Sequence, residues 1–303
     1  MQGKTASRMS YRDRFMQSTS RGEARAQSST HEREMSDSVR TVEEFDRKAP
    51  GPRANKTSAE KKMRPVNRER LAVYRQRIQA GGTAPGLSAK AESELVRQRR
   101  ELSLVESNIN LSGDCQSIYV SSCFPGEGKT TAALSMAYGL SVFNGRNVLL
   151  VDANFEAPRM SGFFNLTSAQ GFSQYLAGNQ SLDHLICPTK YSQLYVLPAG
   201  MTHAGQQVSW DRNHMAHFLD RVASEFDFIV FDGMSMTKSS EPIVMASVID
   251  KVILVAACGS TKWDIMQGMI DKIFGAGGTM GGVVLNKRKF YIPSIFYRLL
   301  ANR

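Results

Sequence analysis

Short apolar runs alternate with stretches of helical periodicity from residue 117 onward. The runs have the length of β-strands and lie at Ser117–Ser122, Asn147–Val151, Leu194–Leu197, Phe228–Phe231, Val252–Ala256 and Gly282–Leu285. Helices are predicted between them at Thr130–Phe143, Asn213–Glu225, Pro242–Val248 and Trp263–Phe274. Continuous apolar strands that alternate with helices are typical of a mostly parallel sheet covered on both faces. We therefore expect an α/β domain over residues 91–303, with ligands at the carboxyl ends of the strands.

Residues 1–90 lack this pattern. They contain few large apolar side chains, and the whole formal net charge of +10 lies there. Such a segment cannot bury enough apolar surface to offset its ordering entropy, so we predict a largely disordered basic tail with one short helix at Glu69–Gln79. Two interpretations stay open: a solvated tether, which the interspersed acidic residues favour, and attraction to anionic lipid or nucleic acid. Because the tether is favoured, we do not expect a nucleic-acid partner.

The sequence indicates a cytoplasmic protein. No apolar signal-peptide core follows Met1, and no run of about 18 apolar residues occurs, so neither secretion nor a membrane span is expected. The four cysteines are far apart and have no metal-binding spacing, which predicts reduced thiols at Cys115, Cys123, Cys187 and Cys258.

Residues 121–131 form the most informative motif, Ser-Ser-Cys-Phe-Pro-Gly-Glu-Gly-Lys-Thr-Thr. A glycine-rich turn between a strand and a helix directs backbone N–H groups and the positive helix end at a phosphate. The predicted nucleotide-binding residues of this loop are Pro125, Gly126, Glu127, Gly128, Lys129, Thr130 and Thr131. Lys129 would contact the phosphates and Thr130 would bind Mg²⁺. The pattern departs from G-x-x-x-x-G-K-[ST] at its first glycine, which is replaced by Cys123.

Polar residues end three of the predicted strands. Asp152 and Asp232 each follow an apolar strand, where a carboxylate can bind Mg²⁺ or orient a nucleophile. Asn286 follows the last strand, where its amide can pair with the adenine edge. Alternative roles are a helix cap for either aspartate and a turn for Asn286.

These motifs together resemble the cytoplasmic domain of the bacterial tyrosine kinases of exopolysaccharide synthesis, in the MinD/ParA-like branch of P-loop ATPases. The similarity covers roughly residues 92–300. The resemblance implies ATP and Mg²⁺ as cofactors, with Lys129, Asp152 and Asp232 as catalytic residues and Thr130, Asp152 and Asp232 as metal ligands. It also implies that Glu94, Arg97 and Arg100 match a helix that packs subunits into a ring, although these residues also fit an ordinary solvated helix face.

The chain departs from the family at four places. Phe124 replaces the signature lysine of the MinD/ParA branch, as in the kinases themselves. Asn154 replaces the second aspartate of an Asp-x-Asp motif, and Gly-Met-Ser-Met follows Asp232 where Thr-Pro-Pro is usual. Only Tyr291 and Tyr297 stand where the kinases carry a C-terminal tyrosine cluster.

The last residues, 287–303, place three cations before an aromatic and aliphatic run. They favour equally a terminal helix packed on the sheet and a segment that docks on anionic lipid or on a membrane partner. The leading hypothesis is an ATP-dependent tyrosine autokinase that regulates exopolysaccharide or capsule polymerisation and export at the inner face of the membrane. Its partner would be a membrane-embedded polysaccharide co-polymerase. The alternatives are a MinD/ParA-like ATPase switch and a nucleotide-binding pseudo-kinase scaffold.

Overall fold

Seven strands form one sheet in the computed structural model, which describes residues 67–79, 84–96, 115–166, 170–201 and 212–287. In chain order they are β1 (Ser117–Ser122), β2 (Val148–Asp152), β3 (Cys187–Pro188), β4 (Leu194–Leu197), β5 (Phe228–Ser235), β6 (Lys251–Ala257) and β7 (Met280–Asn286). Their order across the sheet is β3-β4-β2-β5-β1-β6-β7. All the described pairings are parallel except that of β3 with β4. The predicted mostly parallel sheet is therefore confirmed.

The helices of the described residues connect these strands. They are α1 (Arg68–Gln79), α2 (residues 89–96), α3 (Lys129–Tyr138), α4 (Met160–Phe164), α5 (Phe172–Leu176), α6 (Leu182–Leu185), α7 (Arg212–Ala223), α8 (Glu241–Ala246) and α9 (Trp263–Gly275). A π-helical turn, Gly139–Phe143, extends α3 over the rest of the range predicted as helix. None of the helices in this described part combines the length and the apolar character that a membrane crossing needs.

Apolar side chains cover both faces of the sheet. On one face, Ile118 and Val120 of β1 join an apolar cluster that includes α3 and the buried Leu95 of α2. On the other face, the rings of Phe172, Phe218 and Phe231 lie with centroids 4.9–6.4 Å apart. Because neighbouring residues of a strand face opposite sides, this double burial explains why the strands have no polar alternation.

Helix α1 is the short helix expected near residue 69, and it packs directly on the rest of the described chain. Tyr74 is 1% exposed, and its ring lies 6.1 Å from that of Tyr195 and 6.5 Å from that of Phe226. Its single hydroxyl proton is shared between the carboxylates of Glu225 (2.8 Å) and Asp183 (3.2 Å). Burial raises the pKa of Tyr74, and so does the hydrogen bond to the Glu225 carboxylate. The hydroxyl therefore stays protonated, and so a donor, at neutral pH.

We expect Tyr74→Phe to lower the free energy of unfolding by about 1–3 kcal/mol, because Glu225, which is also buried, would lose a hydrogen-bond donor. Chemical denaturation monitored by circular dichroism measures this loss. Val73→Ala is the matched control, since Val73 lies on the same helix and is 52% exposed. Equal unfolding midpoints for the two variants would show that the Tyr74 hydroxyl does not stabilise the folded domain.

Candidate active site

The loop between β1 and α3 has the backbone geometry of an anion-binding turn. Gly126 and Gly128 adopt φ angles of 80° and 103°, which side-chain-bearing residues rarely adopt, and α3 begins at the next residue, Lys129. A Cβ atom at Gly128 would also lie 2.0 Å from the amide nitrogen of Asn286. Glycine is therefore required at position 128 for two reasons, the positive φ angle and the close approach of Asn286 on β7.

Cys123 occupies the position of the missing first glycine without strain, since its φ is not among the positive values of the described residues. The side chain is fully buried, and burial raises the pKa of the Cys123 thiol to about 11. Its carbonyl accepts a hydrogen bond from the Thr237 hydroxyl at 2.7 Å. The thiol is therefore a neutral packing group that supports the base of the loop.

The remaining predicted loop residues divide into two groups. Pro125 and Gly126 are exposed at the tip, while Lys129, Thr130 and Thr131 form the first turn of α3. Glu127 differs from both, because its carboxylate is 4% exposed and accepts a hydrogen bond from the Phe124 backbone N–H at 2.8 Å. The side chain of Glu127 is thus engaged inside the protein, and its main chain remains part of the loop.

Asp152 and Asp232 lie side by side at the carboxyl ends of β2 and β5, where their Cα atoms are paired in register. The Asp152 carboxylate accepts backbone hydrogen bonds from Arg159 (2.9 Å), Met160 (3.0 Å) and Asn154 (3.2 Å). Burial still raises the pKa of Asp152, against these bonds and the charge of Lys129. The Asp152 carboxylate therefore caps the start of α4 and also lies beside Asp232.

Asp232 is fully buried, and neither carboxylate oxygen has a hydrogen-bond partner among the described residues. Burial and the neighbouring charge of Asp152 raise the pKa of Asp232 to about 7. The Thr130 hydroxyl approaches the carboxylate without forming a hydrogen bond of ordinary geometry, and this hydroxyl and the charge of Lys129 lower the pKa, although not enough to offset burial. A buried and unsatisfied carboxylate is costly, which indicates a cationic ligand at this position.

The residues present suit a magnesium ion held together with phosphates. Mg²⁺ is usually bound by one or two carboxylates and by substrate phosphate oxygens rather than by a full protein cage. Two carboxylates and the Thr130 hydroxyl meet here, and the described residues contain no cluster of three or more acidic, histidine or cysteine ligands. The unsatisfied oxygens of Asp232 provide the observation that fits the ion.

Asn154 stabilises the turn after β2. Its side-chain amide donates to the Ala157 carbonyl at 3.1 Å, and its backbone N–H donates to Asp152. An amide supplies this donor, whereas an aspartate at the same position could not. Asn154 in place of an aspartate therefore removes one acidic group and stabilises the turn whose backbone helps to orient Asp152.

The departure after Asp232 also has a structural basis. The backbone N–H of Met234 donates to the Tyr119 hydroxyl at 3.1 Å, and a Cβ atom at Gly233 would lie 2.1 Å from the Tyr119 ring. A proline at position 234, as in Thr-Pro-Pro, would have no N–H to donate. Tyr119 and the Gly-Met pair are thus matched to each other, and β5 continues to Ser235.

Asn286 lies at the end of β7 beside the loop. Its amide nitrogen donates to the Glu127 carbonyl at 2.8 Å, and its amide oxygen accepts from the Lys287 N–H at 2.8 Å. The structure therefore assigns it a bracing contact with the loop, which the sequence did not indicate. Contact with adenine stays a prediction.

The expected subunit-packing helix is described only in part. Glu94 lies on α2 and is half-buried, while Arg97 and Arg100 lie outside the described residues, as do Tyr291, Tyr297 and the rest of the C-terminal segment. On the same helix, Glu92 accepts hydrogen bonds from Tyr138 of α3 (3.1 Å) and from Lys190 (2.8 Å). Helix α2 is therefore fastened to the helix that begins at the phosphate-binding loop.

Comparison with known proteins identifies a matching domain family and relatives that are bacterial tyrosine kinases. Residues 115–273 match the AAA_31 family, an AAA domain. The chain is 29% identical to the tyrosine-protein kinase CpsD of Streptococcus agalactiae over 185 residues, which are 60% of this chain and 80% of that protein. The structure of the VpsO kinase domain is similar at 26% identity and a TM-score of 0.54, covering 64% of this chain and 98% of that domain. The predicted resemblance to bacterial tyrosine kinases is confirmed.

The fold extends to more distant proteins. A plasmid partition protein of Borrelia burgdorferi, solved with AMPPNP, has a TM-score of 0.51 at 16% identity and covers 62% of this chain and 81% of its own. At this identity the likeness concerns the fold alone, and it agrees with the expected ParA-like arrangement of strands and helices.

Proposed function

We propose that this chain, which belongs to the AAA domain family through residues 115–273, binds Mg²⁺-ATP and transfers or releases its terminal phosphate. The similarity to CpsD and to the VpsO kinase domain favours a tyrosine kinase that regulates exopolysaccharide or capsule polymerisation and export. The observation that carries the proposal is the Asp232 carboxylate, buried without a hydrogen-bond partner among the described residues beside Asp152, Lys129 and Thr130.

Each residue of the site has a role in this proposal. The N–H groups of the loop and the ammonium of Lys129 bind the phosphates, with Lys129 opposing their charge and that of the two aspartates. Thr130, Asp152 and Asp232 would hold Mg²⁺, which supplies charge neutralisation at the phosphates when bound. Asp152, oriented by three backbone N–H groups and with a raised pKa, accepts the proton of the attacking hydroxyl.

The setting of the protein also belongs to the proposal. We assign it a membrane-embedded co-polymerase as partner, at the inner face of the membrane, and a ring of copies packed through Glu94, Arg97 and Arg100. We place the functional domain in residues 91–303 and the basic segment in residues 1–90. Helix α1 belongs to the basic segment by sequence, and it contributes buried side chains to the packing of the domain.

The described tyrosines favour an acceptor elsewhere in the chain or on another protein. The hydroxyls of Tyr74, Tyr119, Tyr138 and Tyr195 are hydrogen-bonded to internal partners, and that of Tyr191 is buried. Tyr175 is half-buried on α5. Because a kinase needs an accessible hydroxyl, and the Tyr175 ring packs against Phe172 and Phe218, autophosphorylation would fall on Tyr11, Tyr291 or Tyr297. The engagement of the described tyrosines inside the protein also supports the second candidate function, an ATPase switch without protein-kinase activity.

A single assay distinguishes these functions. The purified full chain is incubated with γ-labelled ATP and Mg²⁺, with and without the cytoplasmic segment of the partner. We expect phosphotyrosine, located by mass spectrometry at Tyr11, Tyr291 or Tyr297 and lost in the triple Tyr→Phe variant. Free phosphate alone would indicate the ATPase switch. Neither product would indicate a nucleotide-binding scaffold, and phosphate on a buried tyrosine such as Tyr74 would contradict the assignment of the acceptor.

A further inference from the structure

The Glu127 carboxylate connects the phosphate-binding loop to the segment between β6 and α9. One oxygen accepts the N–H of Phe124 in the loop itself. The other accepts the hydroxyl of Thr261 and, at 3.4 Å, the N–H of Ala257. Thr261 in turn accepts the Ala257 N–H at 3.1 Å. One buried carboxylate therefore ties together two chain segments more than a hundred residues apart.

This carboxylate is poorly suited to touch a nucleotide. A negative charge beside bound phosphates opposes binding, and a buried charge is stable only when donors surround it. Glu127 is 4% exposed and is surrounded by such donors, with its oxygens directed at Phe124, Ala257 and Thr261. Its backbone carbonyl, held by the amide of Asn286, is fixed from β7 as well. The loop is thus restrained from the carboxyl ends of β6 and β7.

We propose that Glu127 is a positioning residue, which acts through Thr261 to hold the loop in its phosphate-binding conformation before the nucleotide arrives. The inference rests on the proposed nucleotide site and adds a residue pair to it. A loop that is already ordered loses less conformational entropy when it binds, so the pair raises affinity without contacting the ligand. It also makes the β6–α9 segment sensitive to the occupancy of the loop.

Trp263 offers a direct reporter of this link. It is the first residue of α9, two positions after Thr261, and its side chain is 45% exposed. The chain contains two tryptophans, so Trp210→Phe leaves Trp263 as the single indole emitter. Addition of Mg²⁺-ATP is expected to change the Trp263 emission in this background, and Thr261→Val is expected to reduce that change.

The closing experiment combines binding with hydrogen exchange on the full chain. Isothermal titration measures the Kd for Mg²⁺-ATP in Thr261→Val, which removes the hydroxyl and keeps the shape. We expect about tenfold weaker binding, since a hydrogen bond to a charged group is lost. Thr261→Ser should restore affinity. In the Glu127→Gln background, Thr261→Val should cost clearly less than in the wild type, because the pair acts as a unit.

Two controls and a second measurement keep the result specific. Ser260→Ala removes a hydroxyl from the same segment, where it bonds Ala257 instead of Glu127, and Asp264→Asn removes an exposed carboxylate near it. Neither should change the Kd. In the nucleotide-free protein, Thr261→Val should speed the exchange of the amides of residues 124–130, and Ser260→Ala should not.

The outcomes separate the two proposals. A wild-type chain that does not bind Mg²⁺-ATP would reject the proposed function, while faster amide exchange in Thr261→Val would still support the positioning role. A wild type that binds, with Thr261→Val equal to it in both affinity and amide exchange, would overturn the inference alone.

Discussion

Lys129→Met is expected to weaken Mg²⁺-ATP binding by about a hundredfold, the largest loss among single replacements in the loop, because charge-assisted contacts with phosphate disappear. Lys129 is 9% exposed, so methionine retains its packing. A second effect adds to the first. The charge of Lys129 lowers the pKa of both Asp152 and Asp232. Without it, both carboxylates are harder to ionise, and binding of the metal ion weakens as well.

Titration calorimetry at fixed Mg²⁺ measures this loss, and a thermal melt of the free protein shows whether the variant is folded. Lys238→Met is the matched control, because Lys238 is an exposed cation after β5, and it should bind as the wild type does. A folded Lys129→Met variant with unchanged affinity would exclude the β1–α3 loop as the nucleotide site.

Asp232→Asn is expected to stabilise the metal-free protein at pH 8, by on the order of 4 kcal/mol, while it weakens Mg²⁺-ATP binding. The pKa of Asp232 is raised to about 7 in the folded state, against 3.8 for the ordinary side chain. Between these two pH values the Asp232 side chain is ionised in the unfolded protein and still protonated in the folded protein. Stability therefore falls as the pH rises from about 4 to about 7, and the loss is complete above the folded pKa.

Thermal melts of wild type and Asp232→Asn across this pH range, in the presence of a chelator, test the prediction. The difference in Tm should grow with pH and level off near pH 8, and saturating Mg²⁺-ATP should reverse its sign. Asp152→Asn is the informative comparison. It replaces the carboxylate that accepts three backbone N–H groups, two of them, from Arg159 and Met160, at the start of α4, so it should destabilise the protein at neutral pH. A destabilised Asp232→Asn variant at pH 8 would contradict the unpaired state of this carboxylate.

The sequence predicts the long elements well, because their pattern is local. The six apolar runs become β1, β2, β4, β5, β6 and β7, with end points shifted by a few residues at most. The order of the strands, which the sequence does not predict, brings Asp152 next to Asp232. The elements that it does not predict are short. β3 has two residues, and α4, α5 and α6 have at most five each, which is too few for any periodicity to stand out.

Within the site, the sequence indicates residue types and misses the contacts that need distant partners. The sequence indicates only a loop residue at Glu127, because Thr261, which fixes the orientation of its side chain, lies 134 positions away. The replacement of the first loop glycine by Cys123 looks like a defect until its buried position and ordinary backbone angle are known. Helix α1 looks solvated because Glu225 and Asp183, which bond Tyr74, come from much later in the chain.

Helix α1 has a practical consequence for experiments with fragments. A fragment cut at residue 91, where the predicted α/β domain begins, would lack Tyr74 and leave the aromatic rings of Tyr195 and Phe226 without this neighbour. It would also leave the buried Glu225 carboxylate without two of its partners, Tyr74 and Arg70. Low yield or weak activity of such a fragment would then reflect a damaged fold and not poor catalysis. Recombinant versions of this protein should begin upstream of Asn67.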